Sequence, residues 1–165
     1  MKKLTSIIIS FLFVGTVFAQ SNAHAEKYLL TFFKKLNDTQ QKLTFLNKTN
    51  SFDKIGTETV NGDISGTLFY DVQIKGMGAE VTIRYTNFCD EPGWIYDGEI
   101  ITHSNLAQNG SFEGTIKISG KEPGSVSYDD VKMKKGMPSS GNYLVKIADF
   151  PPEKVDYSMY QKSKE

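Results

Sequence analysis

The sequence predicts a mainly β (α+β) fold: an N-terminal amphipathic helix followed by a curved antiparallel meander sheet of about six strands. Three observations lead there. Apolar residues recur at helical spacing near the front of the chain, they switch to every second position from about Glu58 onward, and short Gly-, Pro- and Asn-bearing turns punctuate that alternation.

The chain opens on Lys2 and Lys3, an apolar run from Ile7 to Val14, and small residues placed for a signal peptidase. Cleavage after Ala25, in Ala23-His24-Ala25, fits the small-x-small rule best; cleavage after Ala19, in Val17-Phe18-Ala19, competes. A retained anchor fits less well. The apolar stretch from Ile7 to Ala19 is interrupted by Ser10, Gly15 and Thr16 and falls short of the roughly 20 residues a spanning helix needs. The expected organisation is a signal peptide over residues 1–25, one helix-plus-meander domain over residues 26–160, and a polar tail over residues 161–165. The corresponding location is periplasmic or secreted, with no membrane anchor after cleavage.

Tyr28, Leu29, Phe32, Phe33 and Leu36 fall on one helical face, with Lys27, Lys34 and Lys35 opposite. The spacing predicts a helix of about three turns, the common length, with Asn37 and Asp38 supplying a stop. Beyond it two structures fit: a second helix capped by Asp38 with Leu43 and Leu46 on one face, or a strand through Leu43 to Leu46.

From there the pattern is β. Ile64, Leu68, Tyr70, Val72 and Ile74 alternate with polar residues and with Phe69, and Ala79, Val81, Ile83 and Tyr85 repeat the pattern. Trp94, Tyr96 and Ile100 mark a third strand, Phe112, Ile116 and Ile118 a fourth, Val126 and Tyr128 a fifth, and Tyr143, Val145 and Ile147 a sixth. In the fifth the apolar phase slips at Asp129-Asp130 before Val131 and Met133, which predicts a β-bulge.

Gly76-Met77-Gly78, Asn105 to Gly110 and Gly136 to Gly141 read as connections, and Glu91-Pro92-Gly93 and Glu122-Pro123-Gly124 as type II turns. Such short links imply antiparallel neighbours in sequence order. Gly66, Gly98 and Gly114 occupy inward positions, where a missing side chain lets a sheet bend around the helix. Gly66 and Gly114 share the echo Asn-Gly-x-apolar-x-Gly-Thr-apolar, and two copies do not make a repeat protein. After Pro151-Pro152, Val155, Tyr157 and Met159 fit an edge strand, while Tyr157 and Tyr160 fit a short helix.

Composition narrows the functions. Bases and acids balance at 19 each, and loss of Lys2 and Lys3 with the signal leaves a slight acidic excess. Arg84 is the only arginine, which argues against nucleic-acid and phosphate readers. Cys89 is the only cysteine, so there is no internal disulfide and no lipid-modified cysteine at a cleavage point; acidic Asp90 and Glu91 beside it suit an inert thiol. No zinc or other cofactor motif is present.

Catalytic alternatives are thin. His103, beside Ser104, has no Gly-x-Ser-x-Gly elbow to present a nucleophile. Asp97 and Glu99 share one strand face about 7 Å apart, the spacing strand geometry gives any such pair, so a small hydrolase is the rival reading. Asp90, Glu91, Asp97, Glu99, Asp129 and Asp130 supply oxygens without calcium-loop spacing. The remaining signal is aromatic: Phe69, Trp94, Tyr96 and Tyr128 are the candidate ligand-binding residues. They would line a sheet surface for a sugar, a lipid tail or a protein partner, unless the helix covers them as core. The leading expectation is a non-enzymatic binding module for a hydrophobic ligand or protein partner. An envelope structural or adhesion subunit using an edge strand is a third.

Overall fold

A computed structural model describes residues 23–43 and 56–159. The signal-peptide run, the fate of Leu46 and the polar tail lie outside the described residues. Among the described residues the chain is mainly β, with helix α1 over residues 23–40 and eight strands: β1 (Gly56–Asn61), β2 (Ser65–Lys75), β3 (Gly78–Cys89), β4 (Trp94–Asn105), β5 (Gly110–Gly120), β6 (Gly124–Lys134), β7 (Met137–Ile147) and β8 (Glu153–Asp156). They form one antiparallel meander in sequence order that is left open, since β1 pairs only with β2 and β8 only with β7.

The expected six strands are β2 to β7. β1 and β8 add the other two, and both are short, which leaves little periodicity to read. At the C-terminal edge the chain realises part of each expected form: Val155 is buried in strand β8, and a turn at 157–158 then returns Met159 to the core.

Helix α1 runs past the expected stop at Asn37-Asp38. Packing outweighs the weak propensity of those two residues. Thr39 is buried, donates to the Leu36 carbonyl at 2.8 Å and meets the Tyr85 hydroxyl at 3.2 Å, and Leu43 is fully buried after a turn at 41–42. The predicted apolar face, from Tyr28 to Leu36, is all in the core.

The inner face of the sheet carries Leu68, Tyr70, Val72, Tyr85, Trp94, Tyr96, Ile100, Ile116, Val126, Tyr143 and Val155 in one cluster with the helix. The expected bulge exists: the β6–β7 register shifts between Asp129 and Lys132, with Asp130 at φ 56°. A second shift between Tyr85 and Phe88 lets Phe88 turn inward.

The turns divide. Glu91-Pro92-Gly93 is type II, with Gly93 at φ 92° and the Trp94 N–H donating to the Glu91 carbonyl. Glu122-Pro123-Gly124 is not, because Gly124 is already the first residue of β6, paired with Ile118 and Ile147. The Gly136–Gly141 connection shrinks to Lys135-Gly136, both at positive φ as in a type I′ hairpin, and Met137 to Gly141 belong to β7.

Candidate functional site

Helix α1 crosses the strands near one end of the sheet. The His24 ring meets Phe150 after β7, the Tyr28 hydroxyl donates to the Glu122 carbonyl at 3.1 Å, and Lys35 pairs with Glu91 while passing 5.8 Å from the Trp94 ring centre. Lys42 pairs with Asp63 at 2.7 Å and Asp90 at 2.8 Å. All these partners lie at or beside the connections β1–β2, β3–β4, β5–β6 and β7–β8, which an antiparallel meander gathers at one end.

On the other side of the helix a cavity of about 370 Å³ remains against the inner face. Four rings wall it: Phe33 from the helix, Phe112, Tyr128 and Tyr143 from the sheet, with Leu36, Ile83 and Ile100 between. Phe112 and Tyr128 stack at 5.8 Å, and Tyr128 and Phe33 meet Tyr143 edge-on at 5.3 and 5.0 Å. Lys34, Asn37, Gln40 and Thr102 supply polar groups. This volume lies within the range of roughly 300–1,000 Å³ typical of small-molecule sites.

The four aromatic candidates therefore separate. Tyr128 lines the cavity. Trp94 and Tyr96 are buried beneath the helix, 8% and 2% exposed and stacked at 6.4 Å, and neither lines the cavity. Phe69 projects from the opposite face, 5.7 Å under the Arg84 guanidinium. Trp94 and Tyr96 share the inward phase with Ile100, so the alternation itself placed them in the core; nearness to Pro92 in sequence was the weaker guide.

Other cavity residues were missed. Ile83, Ile100 and Phe112 belong to the inward phase of the alternation, and strand pairing sets Ile83 opposite Ile100 and Phe112 opposite Thr102. The sequence does not show that the helix lies to one side and leaves them lining a cavity.

Burial pushes the Tyr85 hydroxyl up to about 12, and burial, aided by Glu122 and Glu91 respectively, raises Tyr28 and Tyr96 further. These phenols stay neutral and serve as packed donors or acceptors.

The hydrolase candidates sit on the outer face. His103 has Glu80 at 3.4 Å from Nδ1 and Glu113 at 3.0 Å from Nε2, whereas the Ser104 hydroxyl turns to the Ala79 carbonyl. Glu99 is held by Arg84 through Nε at 2.8 Å, and Asp97 lies opposite Lys117. Neither arrangement places a nucleophile beside a base in a cleft. Asp129 pairs with Lys154 at 2.8 Å and Asp130 with Lys132 at 2.6 Å, so these carboxylates also face lysines. Cys89 is buried and donates its thiol to the Glu91 carbonyl at 3.3 Å.

No family model, curated protein or solved structure matches the chain.

Proposed function

We propose that this chain is an exported, non-enzymatic binding protein that takes a small apolar or aromatic ligand between helix α1 and the inner face of the sheet. The cavity of about 370 Å³ carries that reading, because rings and aliphatic side chains wall it and a few polar groups at its margin can orient a guest. The ligand-binding residues are then Phe33, Phe112, Tyr128 and Tyr143 rather than Trp94, Tyr96 or Phe69.

Titration with the fluorescent probe N-phenyl-1-naphthylamine tests it. Thr102 faces the cavity three residues before the end of β4, and Thr102→Trp fills the space. The expected result is saturable binding that the filled variant weakens by about tenfold or more, with its circular dichroism and melting unchanged. No saturable binding, or equal binding by a folded Thr102→Trp variant, would overturn the proposal.

Export rests on Lys2, Lys3 and the apolar run that follows them. Ala25 is 2% exposed and His24 packs on Phe150, contacts that cleavage after Ala19 keeps and cleavage after Ala25 loses. These favour the earlier cut. Mass spectrometry of the protein isolated from the cell envelope or medium decides between them, and an uncut chain confined to the cytoplasm would overturn export.

A further inference from the structure

We infer that the end of the sheet formed by the β2–β3, β4–β5 and β6–β7 connections docks on an anionic lipid bilayer. The meander places these three connections together, away from the end the helix straps. The β4–β5 and β6–β7 connections are also hydrogen-bonded to each other: the Gly136 N–H donates to the Gln108 carbonyl at 2.8 Å, and the Lys135 N–H donates to Asn109 Oδ1 at 3.1 Å.

Two of the three connections carry an apolar side chain into solvent, and at the third the first residue of β7, Met137, is exposed to a lesser extent. Met77 is 82% exposed and Leu106 84%, while Ile74 and Met137 are exposed beside them. Such residues at three successive tips make a rim of separate wedges.

The charge at this end has one sign. Residues 74–79, 104–109 and 133–138 contain Lys75, Lys134 and Lys135 and no acid. Lys75 reaches Glu80 at 3.8 Å on the outer face; among the described residues Lys134 and Lys135 have no carboxylate within ion-pair distance. The opposite end holds Asp63, Asp90, Glu91, Glu122 and Asp149 in its connections, with Lys121. Lys35 and Lys42 pair with Glu91, Asp63 and Asp90 there, so the basic connections stand against an end that is only slightly acidic.

Apolar tips set beside Lys134 and Lys135, which have no carboxylate partner among the described residues, match the bilayer interface, where hydrocarbon lies just below anionic headgroups. A bilayer accepts independent wedges, whereas a protein partner needs one continuous apolar patch. Docked this way, Thr102, Phe112 and Pro138, each within three residues of a tip, bring the cavity wall close to the lipid.

Co-sedimentation of the purified protein with vesicles provides the test, comparing phosphatidylcholine alone with a phosphatidylcholine–phosphatidylglycerol mixture. Binding to the mixed vesicles is expected, lost with added salt, and weakened about fivefold for each lysine removed in Lys75→Gln, Lys134→Gln and Lys135→Gln. Met77→Ser with Leu106→Ser is expected to weaken it about tenfold or more. Lys117→Gln, on the outer face, should bind as the parent does. All these side chains are exposed, so the variants should melt as the parent does. Absence of binding, equal binding to both vesicles, or unaltered binding by the rim variants would overturn the inference. So would a parent dimer, seen by analytical ultracentrifugation, that Met77→Ser dissolves, because the rim would then belong to a second copy.

Discussion

Two glycines illustrate what a single residue does in this molecule. Gly98 on β4 stands opposite Ile116, Gly114 on β5 stands opposite Ile100, and their φ angles are 127° and 120°. A Cβ at Gly98 would lie 2.2 Å from the Thr115 carbonyl oxygen, and one at Gly114 would lie 2.1 Å from that of Glu99. Both the dihedral and the neighbouring backbone exclude a side chain. Gly98→Ala and Gly114→Ala are each expected to cost at least about 2 kcal/mol in urea denaturation. A variant within about 0.5 kcal/mol of the parent would show that the backbone relaxes there. The sequence exposed this role because glycine interrupted an otherwise apolar phase. It concealed the role of Phe69: a ring on a polar strand face suggested a binding surface, and no pattern along the chain shows that Arg84 on the next strand covers it.

At the scale of elements, the question is what fixes helix α1 to the sheet. Lys42 with Asp63 and Asp90, and Lys35 with Glu91, form ion pairs at its C-terminal half, but Asp63 is largely exposed and Lys42 partly so. Such pairs contribute under about 1 kcal/mol. Leu29, Phe32 and Leu43 are fully buried. Truncating a buried ring costs roughly 3–5 kcal/mol, so packing dominates. Phe32→Ala is expected to destabilise by about that amount and Lys42→Gln by less than about 1 kcal/mol, both measured by chemical denaturation. The reverse order would make the ion pairs the main attachment. The existence of the helix and its buried face were legible because five apolar residues recur at its period. Its end was not, since Thr39 and Leu43 are held by Tyr85 and the sheet, partners that no local signal announces.

For the whole molecule, alternation in sequence carried the sheet and the Asp129-Asp130 bulge, both local phase relations, and the short connections carried its antiparallel order. The cavity was not legible. It depends on where the helix crosses the sheet, and that is set by Tyr28, Phe33 and Thr39 meeting residues from 46 to 110 positions away.

The same crossing places three tyrosines where the helix meets the sheet: Tyr28, Tyr85 and Tyr96, all buried. Burial holds their protons more tightly in the folded state than the value near 10 expected once the chain opens. Below about pH 10 both states keep these protons and stability does not depend on them. Above it the unfolded chain gives them up first, and each tyrosine lowers stability by about 1.4 kcal/mol per pH unit. For Tyr85 the loss runs from about 10 to about 12; for Tyr28 and Tyr96 it continues beyond. Since all three lie at one contact, their tyrosinate absorbance should rise together with loss of the sheet's circular dichroism, in one cooperative step. Early ionisation at full circular dichroism would instead mean that the helix lifts from an intact sheet, and that the cavity beside it opens without unfolding.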